Sequence, residues 1–175
     1  MSPLPKKAWS EISTDFADLP SGEHLLVVIN DYSKFPEVEI VSSTSAQQVI
    51  PKRDRIFSSF GVPDTVRTDN GPPFNSREFA DFTNYLGFKH RKVTPWPQAN
   101  GEVERYMKTL KKVYRRQELY KFLRNYRATP HTTTGVPPAT LLLADLFTLV
   151  FQNQSYLNNN LMSNSVLAIM MRKRK

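Results

Sequence analysis

The chain contains no cysteine, so disulfides are excluded, as are zinc modules of the kinds that use Cys ligands. Any bound metal must be held by oxygen or imidazole. No apolar run reaches the roughly 18 residues that a membrane span needs, and no membrane partner is expected. The basic start, Met-Ser-Pro-Leu-Pro-Lys-Lys, lacks the apolar stretch of a signal peptide, so an intracellular location is expected. Acidic residues are in deficit: 16 Asp and Glu face 24 Lys and Arg, a formal net charge of +8. That field attracts polyanions and raises non-specific nucleic-acid affinity through counterion release. Charge alone fits ribosomal and chromatin proteins equally well. With 175 residues the chain accommodates one domain with a real core, since chains near 150 residues bury roughly 70% of their unfolded surface.

Three strand-like stretches open the chain: Trp9 to Phe16, His24 to Asn30 and Val38 to Val41. Turn chemistry at Pro20-Ser-Gly22 and at Asp31 to Pro36 separates them, which predicts an antiparallel meander. A helix follows, capped by Thr44 or Ser45 with Gln48 in the capping-box position. Val49, Ile56, Phe57 and Phe60 form its apolar stripe, Pro51 kinks its early turns and Gly61 ends it. Asp64 to Thr68 reads as a fourth strand, stopped by Asp-Asn-Gly-Pro-Pro at 69–73. Asn75 with Glu78 opens a second helix whose Phe79, Phe82 and Leu86 face inward until Gly87, and Phe88 to Val93 reads as a fifth strand.

The stretch 94–101 is a loop by composition, and a long helix with Val103, Met107, Leu110 and Tyr114 on one side follows. The stripe Leu119, Phe122, Leu123 and Tyr126 is rotated from the first, which implies two helices or one interrupted helix. A loop over 129–136 leads to a last apolar helix from Pro137 to about Phe147. Beyond Thr148 no fold signal is legible, and the terminal Arg-Lys-Arg-Lys suits either a nuclear signal or a solvated basic tip. Strands first, then alternating helix and strand, then helices, imply an α/β layered fold with a five-stranded mixed sheet flanked by helices.

Phosphoryl transfer on a nucleic-acid backbone needs an activated oxygen nucleophile and a stabilised leaving oxygen. Two divalent cations about 3.5–4 Å apart supply both. Mg²⁺ takes oxygen ligands and keeps several waters, so a few carboxylates from separate segments suffice. Asp15 ends the first strand, Asp69 ends the fourth and Glu104 starts the long helix. Each also suits a blander role, as a turn cap or as a first-turn acid favoured by the helix dipole. Glu102 lies close by, but at about 100° per residue it projects about 160° away from Glu104. Glu104 instead shares a stripe with Lys108, Lys111 and Arg115. That stripe can hold metal at a scissile phosphate and neutralise its neighbours. On spacing alone it equally fits a surface Glu–Lys pair stabilising by ~0.2–0.5 kcal/mol.

The motifs Val66-Arg-Thr-Asp-Asn-Gly-Pro-Pro-Phe74 and Pro95-Trp-Pro-Gln-Ala-Asn-Gly-Glu-Val-Glu-Arg105 resemble the second-Asp and Glu motifs of the integrase catalytic core of retroviruses and gypsy-like retrotransposons. Trp9-Ser-Glu-Ile-Ser-Thr-Asp15 and His24-Leu-Leu-Val-Val-Ile-Asn-Asp-Tyr-Ser-Lys-Phe-Pro36 are similar to that family's first two strands. Gln117 to His131 resembles the segment after the core in gypsy-like elements. The resemblance runs from about Ala8 to Leu143, with its motifs in the family's order.

It implies an RNase H-like fold, a two-metal site for Mg²⁺ or Mn²⁺ held by Asp15, Asp69 and Glu104, 3′-end processing of element DNA and strand transfer into target DNA. Asn100 would belong to the mobile loop beside the site; Lys108, Lys111 and Arg115 would contact DNA. An active integrase of this kind would form a homo-oligomer and act in the nucleus. The implied organisation is an extension over 1–7, a catalytic core over 8–127, a loop and helix over 128–147, and a divergent tail over 148–175, expected to be poorly ordered. The sequence departs from the family pattern in a loop one residue short at Pro95-Trp-Pro97, and in Tyr114-Arg-Arg joining Gln117 almost directly. A retrotransposon-derived, catalytically inactive module that binds nucleic acid is therefore the alternative expectation.

Overall fold

A computed structural model describes residues 5, 7–93 and 116–148. By its contacts the chain divides into two units, Met1–Leu142 and Leu143–Lys175, and the sheet belongs to the first. Among the described residues five strands form one sheet: β1 (Glu11–Asp18), β2 (His24–Asn30), β3 (Pro36–Val41), β4 (Thr65–Thr68) and β5 (Lys89–Lys92). Their spatial order is β3-β2-β1-β4-β5. β1, β2 and β3 form the expected antiparallel meander, while β4 runs parallel to β1 and β5 parallel to β4. The sheet is therefore mixed, with β1 at its centre.

Helix α1 (Ala46–Phe60) follows β3, α2 (Arg77–Leu86) follows β4, and α3 spans Arg116–Ala128. Residues 138–148 are also helical. Two helix starts differ from the sequence reading. Ser45 is the α1 N-cap, but its side chain makes no capping bond; its hydroxyl instead lies 3.0 Å from that of Ser43. For α2 the cap is Ser76 rather than Asn75, its Oγ accepting from the Phe79 amide at 3.2 Å. Strand β1 begins two residues later than Trp9. Trp9 takes a positive φ of 60°, donates from its indole to the Gly61 carbonyl at 2.7 Å and packs its ring on Phe60 at 4.5 Å. It is an anchor at the strand's foot, not part of the ladder.

Period-two alternation divides the strand residues between two layers. On one face, α1 and α2 cover an aromatic core in which Phe57, Phe74, Phe79, Phe82 and Phe88 pack ring against ring at 5.3–6.4 Å between centroids. On the other, Ala17, Leu25, Val27 and Ile29 meet Leu119 and Leu123 of α3. Burying two such leucines favours docking of α3 by ~1.5–3 kcal/mol each. Arg127 clamps the helix to the β3 edge by donating to the Pro36 carbonyl at 2.8 Å and pairing with Glu37 at 3.1 Å.

Candidate active site

Asp15 lies within β1 and Asp69 directly follows β4, and the two strands are neighbours in the sheet. Glu11, Ile12 and Ser13 pair in parallel with Thr65, Val66 and Arg67. Asp15 and Asp69 each follow by two residues a paired position, Ser13 opposite Arg67, and Asp69 stands just past the carboxyl end of β4. Adjacent strands lie about 4.8 Å apart, so both carboxylates can serve one centre.

Each carboxylate is oriented locally. Asp15 is half-buried, and its Oδ1 accepts from the Phe16 amide at 2.8 Å. Asp69 is exposed, and its Oδ1 accepts from the Gly71 amide at 3.2 Å. A Cβ at position 71 would stand 3.1 Å from Asp69 Oδ2, so glycine is what lets the turn close against this carboxylate. The Asp69 backbone is held too. Thr68 Oγ1 donates to the Asp69 carbonyl at 2.8 Å and lies 2.8 Å from His90 Nε2. With the hydroxyl proton so engaged, His90 must donate through an Nε2–H tautomer. Burial, reinforced by the positive charges of Arg53 and Lys92, holds the His90 pKa below its usual value and favours that neutral ring.

A second polar group shares this face of the sheet and was not read from the sequence. Ser13 Oγ donates to Asp31 Oδ1 at 2.7 Å, and Arg67 Nη1 reaches Asp31 Oδ2 at 3.5 Å. Burial pushes the Asp31 pKa up against the lowering effects of the Ser13 bond and the Arg67 charge. Burial prevails because the Arg67 contact is long. Period two from Asp15 does point to Ser13, but only the parallel pairing brings Arg67 alongside.

Glu104, Asn100, Lys108 and Lys111 lie outside the described residues, as does Arg115, so two of the three carboxylates are placed here. Among the described residues no group of three or more His, Asp or Glu converges. The two aspartates nonetheless have the donor chemistry that Mg²⁺ or Mn²⁺ requires: hard oxygens on separate segments, one within β1 and one just past β4. Imidazole is not offered; His90 projects to the opposite face, against Phe79 at 5.0 Å.

Comparison with known proteins agrees with this architecture. Residues 5–96 match the family model described as integrase core domain. An uncharacterized protein of Caenorhabditis elegans is 36% identical over 148 residues, covering 78% of this chain and 12% of that protein. The Gag-Pro-Pol polyprotein of simian retrovirus SRV-1 is 31% identical over 109 residues, covering 62% of this chain and 6% of the polyprotein. The chain thus spans a small fraction of the curated relatives it matches. Among solved structures, the catalytic core domain of BIV integrase superposes with a TM-score of 0.68 at 21% identity, covering 81% of this chain and 99% of that one. The HTLV-2 integrase catalytic core, solved in complex with magnesium in a trimeric form, gives 0.61 at 20% identity, covering 78% and 97%. The fold is RNase H-like, and the chain belongs to the integrase core domain family of retroviruses and retrotransposons.

Proposed function

We propose that the chain is the catalytic core of a retroelement integrase that cuts and joins DNA backbones at a metal site held by Asp15, Asp69 and Glu104. The observation that supports this reading is the parallel β1–β4 register, which pairs Ser13 with Arg67, each two residues ahead of an aspartate. When bound, divalent cations supply positive charge to the attacking and leaving oxygens of an in-line displacement.

The chain's own contribution is placement. Phe16 and Gly71 amides fix one oxygen of each aspartate, and the His90–Thr68 pair fixes the Asp69 peptide. In 3′-end processing a water oxygen bonds to phosphorus as the bridging 3′ oxygen leaves; in strand transfer the freed 3′-hydroxyl oxygen bonds to a phosphorus of target DNA as that phosphate's own bridging 3′ oxygen leaves. Asn100, Lys108, Lys111 and Arg115 are proposed to contact the DNA, a homo-oligomer to hold both element ends, and the nucleus to be the place of action.

The test is the full chain with Mn²⁺ and a branched disintegration-type DNA substrate, which asks less of flanking domains than integration does. Metal-dependent product is expected from the wild type and none from Asp69→Asn. Unchanged activity in Asp69→Asn would overturn the assignment. A second reading, a nucleic-acid-binding module without turnover, is favoured by the net charge of +8 and the contracted sequence around the Glu104 helix. Salt-sensitive DNA binding without metal-dependent product would select it.

A further inference from the structure

The β4–β5 register pairs Arg67 with Arg91 and Thr65 with Lys89. Arg67 and Arg91 are thus neighbours on adjacent strands with side chains on the same face, and Lys89 follows two residues along. Like charges directly opposite one another destabilise a sheet. The compensation present is small. Arg67 reaches Asp31 at 3.5 Å, and its buried Nε has no hydrogen-bond partner among the described residues. Lys89 and Arg91 are exposed, and no ion pair engages them among the described residues.

Edge strands commonly carry charge to block edge-to-edge pairing, and β5 is an edge. That role accounts for Lys89, Arg91 and Lys92 taken alone. It does not account for Arg67, which lies on an interior strand and faces the β5 charges. An anion between the two rows relieves the repulsion and gives the guanidinium groups partners. The rows also have a direction: Arg67 precedes Asp69 by two residues on the same face, so the basic groups lead away from the carboxylate pair. Lys89 and Arg91 stand about 6.6 Å apart along the strand, close to the step between successive phosphates of one nucleic-acid strand.

We infer that Arg67, Arg91 and Lys89 form a phosphate-binding row for the DNA strand that enters the Asp15–Asp69 site. The inference rests on the integrase reading for its substrate and deepens it. Lys92, on the same strand but facing the opposite side with His90 and Thr68, lies outside the row.

The experiment is fluorescence anisotropy of the full chain with a labelled blunt DNA duplex, without divalent metal, over a salt series. For Lys89→Gln/Arg91→Gln the slope of log affinity against log salt should fall in magnitude by about 1.8, at ~0.9 for each phosphate no longer neutralised. Between 50 and 200 mM salt that corresponds to a dependence roughly twelve-fold shallower. Lys92→Gln should keep the wild-type slope, and so should the charge-conserving Lys89→Arg/Arg91→Lys. A wild-type slope in the double Gln variant, or an equal loss per residue in Lys92→Gln, overturns the row. Mn²⁺-dependent activity is measured separately. Product formation with an unchanged slope sinks the row and spares the integrase reading, whereas a reduced slope without product from the wild type does the reverse.

Discussion

Arg53 occupies the buried stripe of α1 with Val49, Ile56 and Phe57, and its side chain is fully buried. None of its guanidinium nitrogens has a hydrogen-bond partner among the described residues; what it has is the faces of Phe74 and Phe79, at 5.3 and 5.1 Å. Burial pulls its pKa down to about 9, so it remains charged at neutral pH. At ~1.36 kcal/mol per unit, confining that charge costs about 5 kcal/mol. Two desolvated cation–π contacts return about 4 kcal/mol together, at ~2 kcal/mol each.

Arg53→Met keeps an unbranched side chain of suitable length against the same rings and removes the charge. It should therefore stabilise the fold by about 1 kcal/mol, at the low end of what buried charges replaced by apolar groups return. The assay is equilibrium urea unfolding: the midpoint should rise with an unchanged m-value. The melting temperature should rise by about 2–4 °C per kcal/mol for a chain of this size. Arg53→Ala leaves a cavity instead and should be less stable than Arg53→Met by about 2–3 kcal/mol. An Arg53→Met midpoint at or below the wild-type value would refute the reasoning, because it would mean the folded state satisfies the guanidinium better than two aromatic faces do.

The same charge reaches His90, whose lowered pKa owes part of its shift to Arg53. A depressed folded-state pKa means the unfolded chain takes up the proton first. Stability from this group is thus complete above 6.5 and is lost as pH falls through the folded-state value. His90→Gln, whose amide can still donate to Thr68, should flatten that part of the stability profile; an identical profile would refute the assignment. In Arg53→Met the His90 ring should titrate at higher pH by NMR. Gly71→Ala places a Cβ 3.1 Å from Asp69 Oδ2. The exposed turn should still fold, as circular dichroism would show, but Mn²⁺-dependent activity should drop roughly tenfold or more from the displaced carboxylate; wild-type activity would count against the site.

Local pattern exposed most of the fold. The apolar run His24 to Asn30 coincides with β2 because a strand covered on both faces needs no polar alternation. The glycines at 61 and 87 end their helices with positive φ of 88° and 77°, where L residues are strained. What local pattern missed depended on tertiary partners. β1 continues to Asp18, where His24 across the hairpin reaches the Asp18 carboxylate at 2.8 Å. Arg53 falls at helical spacing from Val49 and Phe57, so the period did mark it as inward-facing, yet residue type alone assigns an arginine to the surface. Asp69 was legible as a carboxylate at a strand end beside turn-forming residues; Asp15 was legible as a carboxylate but was expected to end β1, whereas the hairpin pairing carries the strand three residues past it. The Ser13–Asp31–Arg67 group was not, because three distant segments meet there through pairings that no single segment encodes.

The site therefore depends on a short piece of sheet. On β4 Val66 and Thr68 face the aromatic core and Arg67 faces the other side, with Asp69 directly after the strand; a one-residue slip would exchange the two faces. Only three residue pairs join β4 to β1, and parallel pairing is the weaker kind per residue. The register is reinforced from outside the ladder. The Thr65 amide donates to Ser10 at 3.0 Å, Lys89 to Asp64 at 2.9 Å and Val93 to Thr68 at 2.8 Å. On the aromatic side Val66 is fully buried, and Thr68 reaches His90. A slipped β4 would drive Arg67 into the phenylalanine layer, where Arg53 already shows what a buried guanidinium costs. The core that holds β4 by one face thus fixes, through strand alternation alone, which side chains the other face offers to metal and phosphate.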